Sequence, residues 1–167
     1  MIHTIVDFVS QWEHRSSATQ SLLDALTDKA LAQPVADGHR TLGRIAWHMV
    51  QTLPEMLGQT GLEPEGPGVD APVPETATEV AEAYRAAAAS LLEQIRSRWT
   101  DATLDEEDDL YGTKWKRSFT LGALIHHEIH HAGQLSVLMR QAGLPVTGAY
   151  GPAKEEWSKM GMEAPTI

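Results

Sequence analysis

Apolar side chains recur with helical spacing in four segments of this chain, and this pattern constrains the fold most strongly. Large aliphatic residues return every three or four positions, which is the spacing of one face of an α-helix. The segments run from about Ile2 to Leu26, Thr41 to Gly58, Thr76 to Trp99 and Ser118 to Ala142. No convincing strand pattern interrupts them. Four long helices predict an all-α fold, an antiparallel up-down four-helix bundle with a short C-terminal extension.

Several residues indicate where the helices begin and end. The segment Thr76 to Glu79 fits a capping box at the start of the third helix. Gly143 and Pro145 fit the end of the fourth. Pro54 lies inside the second helix and should kink it or end it early. The proline-rich and glycine-rich segment Gly61 to Pro74 indicates a surface crossover between the second and third helices.

The remaining segments carry weaker signals. An acidic stretch, Asp105 to Asp109, is followed by Leu110 to Lys116, which fits either a loop or a brief extended piece. The tail fits a short helix at Ala153 to Met160. Because the chain has 167 residues and no internal repeat, we expect one domain, residues 1–167.

Composition removes several classes of function. The net charge of −10 argues against a nucleic-acid partner, because proteins that bind nucleic acids carry basic patches. The chain has no cysteine, so a metal ion would be held by histidine, carboxylate and water. The N-terminus lacks the basic and apolar parts of a signal peptide, and no stretch approaches the roughly 20 apolar residues of a membrane span. We therefore expect a cytoplasmic protein without a membrane partner.

The fourth helical segment contains the residues with the clearest chemical meaning. Residues 126–131 (H-H-E-I-H-H) hold four of the eight histidines, in two pairs spaced four residues apart. On a helix, such pairs lie about 6 Å apart on one face, close enough to share a metal ion. At about 100° per residue, His127 and His131 lie beside the leucine stripe, whereas His126 and His130 lie off it. His127 and His131 are the predicted metal-binding pair, and the other two are expected to be solvated or at an interface.

A catalytic metal site needs a third protein ligand. His48 is the candidate, because it lies on the apolar side of the second helix, three residues after Ile45, and facing helices of a bundle project ligands toward one point. His3, His14 and His39 are the alternatives, although His14 and His39 lie in polar surroundings typical of a surface. Three neutral imidazoles leave a position open for water or substrate, which is typical of a catalytic site.

Glu128 is the candidate catalytic residue. With His127 and His131 it forms H-E-x-x-H, a pattern of zinc proteases in which the glutamate is the general base. The motif is short, and the whole chain is more similar to another family, so a protease is the less favoured interpretation. Glu128 could equally orient a histidine ligand or pair across an interface.

Three stretches together resemble the DinB/YfiT-like family. They are residues 42–48 (L-G-R-I-A-W-H), 127–135 (H-E-I-H-H-A-G-Q-L) and 150–157 (Y-G-P-A-K-E-E-W). The second stretch is the most specific. The family has an arginine where this chain has Ala132, and we expect this difference to affect a surface or dimer contact and not the ligands.

The resemblance implies an antiparallel four-helix bundle in which His48, His127 and His131 hold a divalent metal ion, often nickel or zinc. Members of the family include bacillithiol S-transferases and a mycothiol-dependent maleylpyruvate isomerase, and many members are homodimers. A homodimer is also suggested by tryptophans near predicted helix ends or loops, namely Trp12, Trp99, Trp115 and Trp157.

Three functions fit these features. The first is a metal-dependent S-transferase that joins a low-molecular-weight thiol to a small electrophile, with the metal lowering the pKa of the thiol. The second is a metal-dependent hydrolase with bound water as the nucleophile. The third is a non-catalytic metal-binding or ligand-binding stress protein. A basic or aromatic pocket lip would favour transfer, a carboxylate within one water of the metal would favour hydrolysis, and a fourth protein ligand would favour the third.

Overall fold

The computed structural model describes residues 2–148 and 151–166, and it is mainly helical. The long helices are α1 (Ile5–Asp24), α2 (Leu42–Gly58), α3 (Ala77–Arg98) and α4 (Arg117–Gln141). Short 3₁₀ segments lie at Asp28–Ala32, Asp101–Asp105 and Trp157–Met160, and two strands, β1 (Glu107–Leu110) and β2 (Thr113–Lys116), precede α4. The predicted four-helix bundle is confirmed. Within the described ranges, no helix is both long and apolar enough to cross a membrane.

Local sequence signals determine where two of the helices begin. The hydroxyls of Thr4 and Thr76 accept hydrogen bonds from the backbone N–H groups of Asp7 and Glu79. The two carboxylates in turn accept bonds from the N–H groups of the threonines. This reciprocal capping satisfies N–H groups that have no partner within the helix, and a cap typically stabilises by about 1 kcal/mol. The predicted capping box at the start of α3 is therefore confirmed.

The sequence predicts that Pro54 kinks α2 or ends it early, and the early end does not occur. The helix continues to Gly58 with Pro54 inside it. A proline in a helix interior costs about 3 kcal/mol, whereas full burial of one leucine or methionine side chain stabilises by about 1.5–3 kcal/mol. Leu53, Met56 and Leu57 are all buried in the last turns of α2. Their burial outweighs the cost of the proline, so the helix persists.

The packing of the helices places one face of α2 opposite one face of α4. Helices α1 and α2 each pack against α3 and α4, so α1 lies diagonally across the bundle from α2. Leucines from all four helices fill the interior together with Phe8, Trp12 and Tyr84. Because α2 and α4 are neighbours, side chains on their facing sides come together, and this contact contains the candidate site.

The structure changes two expectations about the surface. Ala132 is 3% exposed and belongs to the core, so the predicted surface or dimer contact at this position is wrong. The buried arc of α4 is wider than its leucine stripe because α4 packs against both α1 and α2. Trp12 and Trp99 are also buried. These two tryptophans therefore give no support for an interface between subunits.

The segment before α4 forms a β-hairpin. Strands β1 and β2 pair antiparallel, with Leu110 opposite Thr113. The connecting residues, Tyr111 and Gly112, have φ angles of 52° and 81°, as two-residue hairpin turns with left-handed backbone require. Residues 110–116 therefore contain the last residue of β1, a two-residue turn and the whole of β2. In the tail, the predicted helix at 153–160 is a shorter 3₁₀ turn, Trp157–Met160.

Candidate metal centre

Three imidazoles from two helices converge between α2 and α4. His48 comes from α2, His127 and His131 come from successive turns of α4, and one nitrogen of each lies within 4.8 Å of the others. The Nε2 atoms of His48 and His127 are 3.1 Å apart. Two nitrogens that each lie about 2.1 Å from one ion are separated by roughly 3.0–3.4 Å in tetrahedral or octahedral geometry. The separation therefore fits two nitrogens that share a metal ion.

The other candidate ligands lie outside this group. Among the described residues, His48, His127 and His131 are the one set of three or more histidine, aspartate or glutamate side chains close enough to hold an ion together. His3, His14 and His39 are exposed. His126 and His130 are also exposed, as the helical wheel predicted. The facing sides of α2 and α4 bring together the same three histidines that the resemblance implied.

The three histidines are held in the neutral form that binds metal ions. Burial lowers the pKa of His48 to about 4, with further contributions from the charges of His131, Arg40 and Arg44. Burial, followed by the charges of His131 and His48, lowers the pKa of His127 to about 3. Burial also lowers the pKa of His131. At pH 7 each ring is therefore neutral and has a lone pair available for coordination.

Gln134 orients one of the candidate ligands. Its Oε1 lies 2.7 Å from Nδ1 of His131, and its Nε2 lies 3.1 Å from Nε2 of His130. When Nδ1 of His131 carries the ring proton, its N–H donates a hydrogen bond to this amide oxygen. Nε2 of His131 is then unprotonated, and the hydrogen bond fixes the plane of the ring. Sequence reasoning missed this role, although Gln134 follows His131 by three residues and so lies on the same face of α4. By contrast, Nδ1 of His127 is buried and has no hydrogen-bond partner in the described part of the chain.

Glu128 does not join the imidazoles, so the geometry does not support its predicted catalytic role. Its Oε2 accepts hydrogen bonds from Thr19 Oγ1 at 2.8 Å and Tyr84 OH at 2.9 Å. These partners belong to α1 and α3. Consecutive residues of a helix point about 100° apart, so when His127 faces α2, Glu128 faces the bundle interior.

The surroundings of Glu128 control its proton. The side chain is fully buried, and burial raises its pKa to about 7, against the lowering effect of the Thr19 and Tyr84 hydroxyls and the charge of Arg15. Burial and the nearby Glu128 raise the pKa of Tyr84 well above its usual value, so Tyr84 stays a hydrogen-bond donor. The glutamate thus belongs to a closed polar cluster inside the bundle.

A cavity of about 500 Å³ opens beside the imidazoles of His48 and His127. Helix α2 supplies one wall and the hairpin supplies aromatic residues on the other; the lining includes Arg44, Gln51, Glu55, Met56, Tyr111 and Trp115. The Tyr111 hydroxyl donates to Oε2 of Glu55 at 2.7 Å, which ties the hairpin turn to α2. The ring of Trp115 packs edge-on against the rings of Tyr111 and Phe119. Small molecules therefore have a partly apolar space next to the histidines.

The fold and the site define a class of protein: a four-helix bundle with three histidines placed to hold a metal ion beside an open pocket. The chain belongs to the DinB family, whose family model matches residues 1–164. It is 44% identical to the uncharacterized protein YrdA of Bacillus subtilis (strain 168), over the full length of both chains. The family that the sequence motifs resembled is thereby confirmed.

Solved structures share the fold. A DinB-like protein from Bacillus cereus is 45% identical, with a TM-score of 0.87 over 90% of this chain and 100% of that chain. A second DinB-like protein, YjoA of Bacillus subtilis, is 21% identical, with a TM-score of 0.64 over 83% of this chain and 96% of that chain. The second likeness shows the fold alone. Tyr150, the first residue of the third motif, lies outside the described residues.

Proposed function

We propose that this protein is a divalent-metal-dependent enzyme in which His48, His127 and His131 hold the ion, zinc or nickel. The proposal depends on one observation, the convergence of three neutral imidazoles beside a cavity of about 500 Å³. Imidazole nitrogens suit both metals. Among the described residues no fourth histidine or carboxylate belongs to the group, so a coordination position is left for a small molecule.

The reaction we propose is thiol-dependent transfer to a small electrophile. A divalent ion at this site would lower the pKa of a coordinated thiol and so supply a thiolate at neutral pH. The chain has no cysteine of its own, so the thiol would be a separate low-molecular-weight cosubstrate. The lip of the cavity is both basic and aromatic, with Arg44, Tyr111 and Trp115 in its lining, and such a lip favours transfer over the alternatives.

Metal-dependent hydrolysis is the second candidate, with coordinated water as the nucleophile. It would be favoured by a carboxylate close to the metal. Glu128 faces the bundle interior, and Glu55, which lines the cavity, follows His48 by seven residues, or about 10 Å along α2. A non-catalytic metal-binding or ligand-binding stress protein is the third candidate. A fourth protein ligand would favour it, and the described residues supply none.

Turnover of a thiol with a model electrophile tests the proposed reaction. We expect the metal-loaded protein to conjugate the two substrates and the chelator-treated protein to be inactive. Equal rates in the two forms would exclude metal-dependent transfer. Glu128→Gln should keep its rate when loaded with metal, because its contacts lie inside the bundle; a large loss of rate in a folded, metal-loaded Glu128→Gln protein would return this residue to the mechanism.

We further propose that the enzyme is a cytoplasmic homodimer. The outer surface of α4 exposes large apolar side chains, with Phe119 59%, Val137 58% and Ile129 38% exposed. Exposed apolar area of this kind favours association between subunits. Sedimentation at micromolar concentration should give the mass of a dimer, and a monomer would contradict this part of the proposal.

A further inference from the structure

We propose that Arg44 is the anion-recognising residue of the cavity, and that the cavity takes a molecule with a carboxylate at one end and an apolar body. This inference rests on the proposed function, in that the cavity beside the histidines is taken as the substrate site.

Arg44 has no acidic partner among the described residues. Its Nη1 donates to Oε1 of Gln51 at 2.8 Å, and no carboxylate of residues 2–148 or 151–166 forms an ion pair with it. Other arginines do pair with carboxylates; these are Arg85, Arg96, Arg117 and Arg140. In a chain of net charge −10, a guanidinium that lines a cavity without an acidic partner leaves N–H donors available for an anion from solution.

The position of Arg44 is fixed by a buried amide. Gln51 is 3% exposed, and its Nε2 donates to the carbonyl oxygens of Gly68, Val69 and Ala71 at 2.7, 2.9 and 3.2 Å. These bonds direct the amide oxygen of Gln51 toward Arg44. The guanidinium is therefore held in place by a neutral partner that does not cancel its charge. A preorganised guanidinium loses less conformational entropy when it binds a carboxylate.

Opposite charges line the cavity wall along α2. The guanidinium of Arg44 reaches along the helix to the amide of Gln51, four residues before Glu55, whose carboxylate accepts a hydrogen bond from the Tyr111 hydroxyl. Met56 and Trp115 line the same cavity. A carboxylate is attracted by the guanidinium of Arg44 and repelled by Glu55, while Met56 and Trp115 offer apolar surface to the rest of the molecule.

A second arginine adds positive charge near this helix. Arg40 lies two residues before the start of α2, the helix that carries Arg44. Arg40 is exposed and has no carboxylate partner in the described part of the chain. Its charge therefore adds to the attraction for an anion, while Arg44 supplies the fixed donors in the cavity wall. The planar N–H fork of arginine matches the two oxygens of a carboxylate.

The test compares two probes of nearly the same shape, 3-phenylpropionate and 3-phenylpropionamide, in which a charged carboxylate is replaced by a neutral carboxamide. Their binding is measured by calorimetry to the metal-free and the zinc-loaded protein. The metal-free form isolates the arginine, because no ion is present to bind the carboxylate. We expect the wild-type protein to prefer the acid by about tenfold, as a charge-assisted hydrogen-bond pair predicts. Arg44→Gln should remove this preference, and Arg44→Lys should keep part of it.

Arg98→Gln is the matched control. Arg98 also bonds to a glutamine of its own helix, Gln94, but it lies on α3 and outside the cavity lining. This variant should keep the wild-type preference for the acid. Circular dichroism and the melting temperature of each variant establish that it is folded before the affinities are compared.

Two results overturn the inference: equal affinity of the wild-type protein for acid and amide, or an unchanged preference in folded Arg44→Gln. If Arg44→Gln does not fold, full wild-type preference in Arg44→Lys also overturns it, since lysine lacks the planar fork. Failure of the proposed function gives a different pattern. A protein that prefers the acid but binds neither zinc nor nickel refutes the metal-dependent enzyme, and one that binds either metal without the preference refutes the role of Arg44 alone.

Discussion

Two consecutive residues of α4, His127 and Glu128, face surroundings of opposite kinds. His127 faces α2, where its ring meets His48 and His131 at the edge of a cavity. Glu128 faces α1 and α3, where it is fully buried and bonded to the hydroxyls of Thr19 and Tyr84. Burial moves both groups toward their neutral forms, since it lowers the pKa of His127 and raises that of Glu128.

The difference between the two faces separates a candidate site from a structural cluster. On the α2 side, neutral bases with lone pairs adjoin an open space, an arrangement suited to binding a metal ion and a small molecule. On the α1 and α3 side, hydroxyl donors and an arginine surround one buried acid. We therefore predict that substitutions on the α2 side of α4 affect metal binding, and that substitutions on the α1 and α3 side affect stability.

Loss of a ligand histidine should have the largest effect. His48→Ala, His127→Ala and His131→Ala should each lower metal affinity by more than 100-fold, because each removes one of three protein ligands. Metal content after dialysis, measured by mass spectrometry, checks this. His126→Ala is the matched control on the same helix and should keep its metal. Loss of metal in His126→Ala together with retention in His127→Ala would show that the wrong pair is assigned.

Removal of the group that orients a ligand should have the next largest effect. Gln134→Ala leaves Nδ1 of His131 without its partner and should weaken metal binding about 10-fold to 100-fold. A competition titration with a chelator of known affinity measures the change. Gln141→Ala, an exposed position at the end of α4, should leave the affinity unchanged. An affinity equal to wild type in Gln134→Ala would mean that the amide does not orient the ring.

A change on the other face should affect stability and not metal content. Tyr84→Phe removes a hydrogen bond to the buried Glu128 and should lower the free energy of unfolding by about 1–3 kcal/mol. Urea unfolding measures this, and metal analysis should give the wild-type stoichiometry. Tyr111→Phe loses a hydroxyl whose bond to Glu55 is exposed and should change stability by less than about 0.5 kcal/mol. Metal loss in Tyr84→Phe would mean that the two faces are coupled.

A further expected effect is a difference in how the stability of the metal-free protein depends on pH. The folded-state pKa values of His48 and His127, about 4 and about 3, lie below the usual value near 6.5. The unfolded chain therefore binds more protons, and the histidines destabilise the fold as pH falls from about 6.5 toward 4. Glu128 acts in the opposite direction, because its folded pKa of about 7 lies above the usual value of 4.5. Its stabilising contribution is lost as pH rises from about 4.5 to 7.

Two variants separate these opposing contributions. In urea unfolding between pH 4 and 7, stability should rise with pH less steeply in metal-free His48→Ala than in wild type. In Glu128→Gln it should rise more steeply, because the opposing carboxyl is gone. His126→Ala should follow the wild-type curve. If the slope of stability against pH changes in the same direction in His48→Ala and Glu128→Gln, the assignment of the two faces is contradicted.

The features that depend on local sequence were predictable, and those that depend on long-range packing were not. The helices, the capping box at Thr76 and the direction of His127 and His131 follow from periodicity and the helical wheel. The helical wheel does not show that Thr19 and Tyr84, from α1 and α3, contact Glu128. The sequence therefore did not reveal that the carboxylate of Glu128 points away from the three histidines.

The cavity could not be predicted from the sequence for a similar reason. Its far wall requires the hairpin turn to pack on α2, through the bond from Tyr111 to Glu55, which are 56 residues apart. The position of Arg44 likewise depends on the loop carbonyls that hold Gln51. Pro54 shows the reverse case, since a local signal for a kink or an early helix end did not end α2, and burial of the neighbouring side chains outweighs its cost.

A crystal structure of the zinc-loaded protein, with anomalous diffraction at the zinc edge, tests the central claim most directly. The account predicts one ion bound by His48, His127 and His131, with zinc–nitrogen distances near 2.1 Å and a non-protein ligand completing the coordination. Glu128 should remain bonded to Thr19 and Tyr84. An ion held by His126 and His130, or one that draws Glu128 out of the bundle interior, would contradict the account.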